Sequence, residues 1–287
     1  MNKQYRSKSR KIFEVCNILF LIILSMSMII PILNTFAISF STNMNSMSTG
    51  IVLWPKPFSL EGYETLFREV KILRPLLNNI YVTVVGTFLH VTFCCLTAYI
   101  LARHEFWGKK AFMLFILITM MIPIQNIMIP IYIQYKKLHL LNKLLAIILT
   151  GTITAYSVIL LKNFFEGIPK SIGESAYIDG ATELQMLIKI YLPLAKPGIA
   201  TVTLFQFVDR WNHFMEAVLF LNTPDKFTLQ LALKSLVITS DGAAAVTGIT
   251  KNTQMAGVVI AIIPLLIIYP FVQKYFVSGI MLGSTKG

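Results

Sequence analysis

Six long apolar runs divide this 287-residue chain, and they leave it very few folds. Inside a bilayer every backbone N–H and C=O must find a partner within the protein, so only helices and closed barrels cross. Runs of ~20 apolar residues without two-residue alternation read as helices. We place them near residues 13–39, 76–102, 111–135, 144–165, 198–221 and 255–276. A hydrophobic content of 55%, with only 13% charged residues, excludes an ordinary soluble domain. The expected fold class is therefore an all-α polytopic membrane protein with six transmembrane helices.

The net charge of +12 does not point to nucleic acid, because the basic residues are scattered between apolar runs with no aromatic-interleaved basic patch. Positive flanks on membrane helices account for it. Lys3, Arg6, Lys8, Arg10 and Lys11 precede the first run without one acid, and Arg103, Lys109 and Lys110 follow the second. The pattern predicts a multi-pass chain in the cell membrane with N- and C-termini cytoplasmic, although Lys136, Lys137, His139 and Lys143 then fall on an outer connector. The first run is long enough to span and no small-x-small cleavage site follows it, so it reads as a retained anchor rather than a signal peptide. The same topology makes outer loops of 40–75 and 222–254, with turns expected at Asp241-Gly242 and near Gly248. Proline enters the runs at Pro31, Pro123, Pro130, Pro264 and Pro270, where it kinks a helix or frees a carbonyl inside the bundle.

Between the fourth and fifth runs, residues 168–197 form the longest soluble-looking segment with a helical pattern of its own. Ser171 followed by Glu174 predicts a capping box. Leu184, Leu187, Ile188 and Tyr191 predict one apolar stripe after a break at Asp179-Gly180. Two short helices with a bend are expected. Glu174-Ser175-Ala176, then Gly180, then Ile190, Leu192 and Pro193 resemble the EAA loop of ABC importer permeases. Its pattern is E-A-A, three residues, G, nine residues, I-x-L-P, and Ser175 stands where the family usually has Ala. The resemblance implies a type I ABC importer permease fold. It places Glu174, Ser175, Ala176, Asp179, Gly180 and Ala181 on a cytoplasmic coupling helix seated in a groove of a separate ATPase. Its domain plan is a cytoplasmic N-terminus at 1–12, a permease domain at 13–276 with the EAA loop at 166–197, and a cytoplasmic tail at 277–287.

Little in the chain suggests chemistry of its own. No GxxxxGK[ST] loop occurs, and no Cys, His or carboxylate cluster has metal-ligand spacing. Cys16, Cys94 and Cys95 read as small packing residues, and His90, His104, His139 and His213 sit on separate segments. The chain is expected to be a transport subunit, not an enzyme, binding no cofactor or metal itself; ATP and Mg belong on partner ATPase subunits. Asp209 and Arg210, with Glu216 beyond them, are the strongest anomaly, since ionisable groups within a span are costly. They either pair with neighbours and face a polar cavity or touch substrate directly.

Trp211-Asn212-His213-Phe214 resembles the W-N-x-F motif of sugar-type ABC permeases, and aromatic faces beside amides suit sugar rings. Interhelical hydrogen bonding by Asn212 and anchoring by Trp211 is the plainer alternative. Asn78 and Asn79, at the outer end of the second run, join this candidate substrate pathway. The end of the chain, with Gly279, Gly283, Lys286 and Gly287, looks like the F-V-x-G-x-x-x-G-x-x-K-G tail of carbohydrate importer permeases, which enters the cleft between two ATPase subunits. Phe58-Ser59-Leu60-Glu61-Gly62-Tyr63 is similar to their F-S-L-x-x-Y element. Together these resemble the maltose-transporter-like, MalG-type class, and the Asn-rich loop and 224–230 look most like its LplC/YtcP-type branch. The class implies one half of a translocation pathway for a carbohydrate, an oligosaccharide in this branch. It also implies a homologous second permease, an ABC ATPase dimer and an external binding protein as partners, within membrane lipid and without nucleic acid. The alternatives are an ABC permease for a peptide or amino acid, or a secondary transporter. The latter would carry an internal repeat or proton-relay carboxylates at several spans.

Overall fold

The computed structural model describes residues 8–237 and 249–284, and all its regular elements are helical, apart from one isolated bridge between Ser41 and Phe58. They are α1 (Lys8–Ser39), α2 (Asn43–Ser46), α3 (Glu61–Arg68), α4 (Leu73–Arg103), α5 (Lys109–Met120), α6 (Ile124–Lys137), α7 (Leu144–Leu149) and α8 (Ala155–Glu166). Then come α9 (Lys170–Ile178), α10 (Glu183–Met186), a π-helical stretch at Leu187–Tyr191, α11 (Leu192–Leu194), α12 (Lys196–Trp211) and α13 (Met215–Phe220). A 3-10 turn at Pro224–Lys226, α14 (229–237) and α15 (Lys251–Ser284) close the series. The expected turns at Asp241-Gly242 and Gly248 lie outside the described residues, as do Lys3 and Arg6.

Among the described residues three helical segments cross a bilayer by length and composition, Ile12–Ser39, Leu73–Arg103 and Lys251–Pro270, and five do if two bent pairs each count as one. The other expected spans are interrupted. The third divides into α5 and α6, which meet at 103°. The break falls at Pro123 alone, because Pro130 continues inside α6; a proline disfavours helix in the residue before it. The fourth is not one helix from 144 to 165 but α7 and α8 with 150–154 between them. Gly151 there has φ +68 and Thr154 caps α8 by accepting from the Ser157 N–H. The fifth breaks at 212–214, between α12 and α13. The outer loop expected at 222–254 contains α14 and the Pro224–Lys226 turn. The expected tail is helical as far as Ser284, so Gly279 and Gly283 lie on α15, while Lys286 and Gly287 lie outside the described residues.

One compact unit comprises Met1–Lys71 and Leu233–Ile262. Its polar centre is Asn43. The Asn43 N–H donates to Glu61 Oε2 at 2.8 Å, and its side-chain oxygen accepts from Asn252 Nδ2 at 2.9 Å and Thr250 Oγ1 at 2.8 Å. Asn252 also donates to the Ser41 carbonyl, and it is fully buried. The Phe58-to-Tyr63 element has a packing role here. Phe58 stacks on Phe40 at 5.3 Å, and Tyr63 lies 5.0 Å from the same ring while its hydroxyl pairs with Ser39. Ser59 accepts from the Glu61 N–H at the start of α3.

The second unit comprises Ile72–Ala232 and Ile263–Gly287, with α4 as its axis. A line of buried residues runs along α4 through Asn79, Val82, Gly86, His90, Cys94 and Ala98, spaced three or four apart as one helix face requires. Cys94 and Cys95 both pack into the cluster formed with Val158, Leu161, Phe165 and Tyr191, whereas Cys16 is exposed. Helix α12 approaches α8 at Gly198, where an added Cβ would clash with the Phe164 ring. Gly198→Ala should therefore lower the thermal unfolding temperature of the purified protein, by an overpacking cost of ~1–3 kcal/mol. Phe164→Leu in the same chain should restore part of the loss.

Candidate functional site

The bent segment after α8 is built from its backbone outward. Helix α9 starts at Lys170 with Pro169 at the cap position and no side-chain cap. The capping box expected from Ser171 and Glu174 is therefore not formed, because the helix begins two residues too early and takes Ser171 into its first turn. A capping box does form at the second arm. Gln185 N–H donates to Thr182 Oγ1 at 3.3 Å, and Thr182 N–H donates to Gln185 Oε1 at 3.0 Å. Between the arms, Gly180 adopts φ +79, its N–H reaches the Tyr177 carbonyl at 3.0 Å, and the Ala181 N–H reaches Ala176 at 2.9 Å. This pair of bonds is a Schellman termination, which needs a left-handed residue at Gly180. Open space surrounds the position, so the demand is conformational and not steric.

Only Gly173 and Ala176 of α9 are buried. An added Cβ on Gly173 would meet the Arg103 guanidinium and the Tyr191 hydroxyl, both 2.8 Å away by their nearest carbon and oxygen. The opposite face, with Glu174, Ser175, Tyr177, Ile178 and Asp179, is exposed, and Ile178 is 84% so. Ala181 is partly buried against the core. In the second arm the buried line is Met186, Leu187, Tyr191 and Ala195, while Leu184 and Ile188 are exposed. The expected stripe is thus rotated. The π-helical turn at Leu187–Tyr191 inserts an extra residue per turn and shifts the face that meets the core.

A second site lies at the interrupted fourth span. The break leaves carbonyls without helical partners, and two side chains from other helices reach them. Arg210 Nη1 donates to the Ile147 carbonyl at 3.3 Å and Nη2 to Thr150 at 3.1 Å. His90 Nδ1 lies 2.9 Å from the Gly151 carbonyl, and a carbonyl only accepts, so Nδ1 carries the proton. Nε2 then accepts from the Ser157 hydroxyl at 2.9 Å, which itself accepts from Thr154 Oγ1. Arg210 crosses α4 over Gly86, where an added Cβ would come within 2.7 Å of Cζ. The guanidinium supplies a planar fork of donors, and no other side chain would bridge both carbonyls this way.

Neighbouring polar residues hold the fifth-span break. Asn79 Nδ2 and Gln230 Nε2 both donate to the Trp211 carbonyl at 3.3 Å, and Asn78 Nδ2 donates to Asp225 and Phe227 at 2.9 and 3.0 Å. The Trp211 ring is buried and stacks on Phe207 at 6.1 Å. Asp209 is exposed and lies 3.1 Å from His213, and Asn212 is exposed and donates to the Val208 carbonyl. Of the candidate pathway residues, Asn78, Asn79, Arg210 and Trp211 are thus gathered in buried tertiary contacts, and Asp209 and Asn212 turn outward. Sequence reasoning passed over His90, Gly86 and the 150–154 break. The available signal was Thr150-Gly151-Thr152-Ile153-Thr154, a turn composition inside an apolar run.

The family model described as "Binding-protein-dependent transport system inner membrane component" matches residues 95–281, more than half of the chain. The chain belongs to this family. Among relatives of this permease, the polygalacturonan/rhamnogalacturonan transport system permease protein YtcP of Bacillus subtilis (strain 168) is 37% identical, covering 96% of this chain and 99% of its own length. Protein LplC of the same organism is 36% identical over 100% of this chain and 99% of its own. The arabinooligosaccharides transport system permease protein AraQ of Halalkalibacterium halodurans is 31% identical over 90% and 91%. A chain in the crystal structure of a bacterial ABC transporter involved in the import of the acidic polysaccharide alginate superposes with a TM-score of 0.86. It is 31% identical, covering 96% of this chain and 100% of that one. The fold is therefore that of an ABC importer permease, a multi-pass membrane protein of the carbohydrate class.

Arg210→Ala should destabilise this permease by ~2–5 kcal/mol, since it strands two buried carbonyls and opens a cavity. Arg210→Lys, which keeps the charge but not the fork, should cost less. Gly86→Ala should be destabilising alone and nearly neutral when added to Arg210→Ala, in a thermal unfolding cycle on the purified protein.

Proposed function

We propose that this chain is one permease subunit of an ATP-driven importer for an oligosaccharide, lining half of the pathway beside a homologous second permease. An external binding protein delivers the sugar, and a separate ATPase dimer, carrying ATP and Mg, supplies the energy. The observation that carries the coupling part is the uncovered outer face of α9. Glu174, Tyr177 and Ile178 project there from a helix whose inner face is fixed, and apolar side chains left in water beside an acid fit a seat in a partner protein.

In this reading the interrupted segments count as discontinuous crossings, giving six in all, with both termini and the elbow, the bent segment formed by α9 and α10, in the cytoplasm. Broken helices at membrane depth are tolerated where protein groups satisfy the freed backbone, as Arg210 and His90 do for the Thr150 and Gly151 carbonyls. The substrate path runs past the α12–α13 break, where Asp209 and Asn212 offer a carboxylate and an amide, and Arg210, Trp211, Asn78 and Asn79 hold the frame. The sugar class follows the relatives, which are named for polygalacturonan, rhamnogalacturonan and arabinooligosaccharides. The end of the chain, with Gly279, Gly283, Lys286 and Gly287, reaches toward the ATPase cleft.

A screen of oligosaccharides for stimulated ATPase activity of the reconstituted complex tests the substrate class; stimulation by peptides and by no sugar contradicts it. For coupling, Glu174→Ala should insert and assemble yet lower import per ATP hydrolysed by about tenfold, the scale of one charge-assisted hydrogen bond. Gly180→Asn, which tolerates the left-handed conformation, should keep more activity than Gly180→Val, which meets a strain of ~1–2 kcal/mol. Equal transport by the two Gly180 variants would remove the elbow's shape from the mechanism.

A further inference from the structure

The end of α4 grips both arms of the bent segment, through side chains other than the motif positions named above. Tyr99 Oη donates to Glu183 Oε2 at 2.6 Å, and His104 Nε2 lies 3.3 Å from the same oxygen. Glu183 is the first residue of α10, directly after the Thr182 cap, so its position is fixed by a closed capping box. Arg103, between the two donors, lies over the Tyr191 ring at 5.2 Å and occupies the space left by Gly173 of α9. Beneath them the rings of Tyr99, Tyr191 and Phe165 meet edge to face, with centroids 5.2 to 6.3 Å apart. A single helical turn thus contacts α9 through Arg103 and α10 through Tyr99 and His104.

We propose that Tyr99 and Glu183, with His104 on the same carboxylate, form the joint that passes elbow movement to α4, with Glu183 as a positioning residue for transport. The argument rests on the elbow being the ATPase seat. A carboxylate held by a phenol is a short, directional, charge-assisted contact, unlike the sliding apolar contacts around it. Displacement of α10 must therefore move the end of α4 or break this bond. The same helix carries His90 and Gly86 about 14 and 20 Å from Tyr99 at ~1.5 Å per residue, where they touch the 150–154 break and Arg210. A rigid rod connects the elbow to the interrupted crossings.

The test uses the reconstituted complex of both permeases, ATPase dimer and binding protein, and compares Tyr99→Phe, Glu183→Gln, their double variant and Glu174→Ala. Assembly and basal ATPase activity should be unchanged in Tyr99→Phe and Glu183→Gln. Import per ATP should fall about tenfold in each, and the double variant should fall no further, as expected for two ends of one bond. Normal coupling in both single variants while Glu174→Ala is uncoupled overturns the joint and leaves the elbow seat standing. Additive losses, or loss of assembly in the conservative Tyr99→Phe, overturn it too. Normal coupling in Glu174→Ala removes the seat and the joint together.

Discussion

An apolar run that stops being helical in its middle leaves carbonyls that need partners, and here Arg210 and His90 meet those of Ile147, Thr150 and Gly151. Each buried carbonyl left alone would cost ~1–3 kcal/mol. The chain answers with a guanidinium from α12 on the ends of α7 and an imidazole from α4 on Gly151. Much of the second unit follows from that arrangement. Gly86 must lack a side chain so that Arg210 can pass, and Ser157, itself accepting from Thr154, must carry a hydroxyl so that His90 is held at Nε2 as the Gly151 carbonyl holds it at Nδ1. An arginine that looks anomalous within an apolar run is thus the partner of a break in another run.

The same logic explains why this protein keeps interruptions that hydropathy alone would not suggest. Close-packed helices joined by directional hydrogen bonds switch between discrete arrangements rather than deforming continuously. The clasp at the break, the continuous rod of α4 and the exposed elbow form one connected path of contacts, each link a named bond or ring contact.

The sequence made much of this legible, for physical reasons that differ by element. Spans one, two and six show up because a long apolar helix needs no partner to be recognised. The bend at Asp179-Gly180 is legible because a left-handed residue after a helix calls for glycine. Pro123 announced the break in the third run, but the one at 150–154 was hidden, since it depends on side chains far away in the chain, Arg210 for Ile147 and His90 for Gly151. The apolar stripe of the second elbow arm was misplaced because a 3.6-residue period cannot register a π-helical turn. Ser171 and Glu174 match a capping-box spacing, yet Pro169 had already set the helix start. Within the candidate pathway, residue type singled out Asp209 and Arg210 and a motif resemblance singled out Trp211 and Asn212, but only the fold reveals that Arg210 and Trp211 are buried while Asp209 and Asn212 are exposed.

The account turns on whether the outer face of α9 seats against an ATPase. Site-directed cross-linking measures this most directly, because Cys94 and Cys95 are buried and only Cys16 is exposed. In a Cys16→Ser background within the assembled transporter, Ile178→Cys should form a cross-link to the ATPase subunit, and Trp54→Cys in the loop after α1 should not. A cross-link from position 54 and none from 178 would contradict the account.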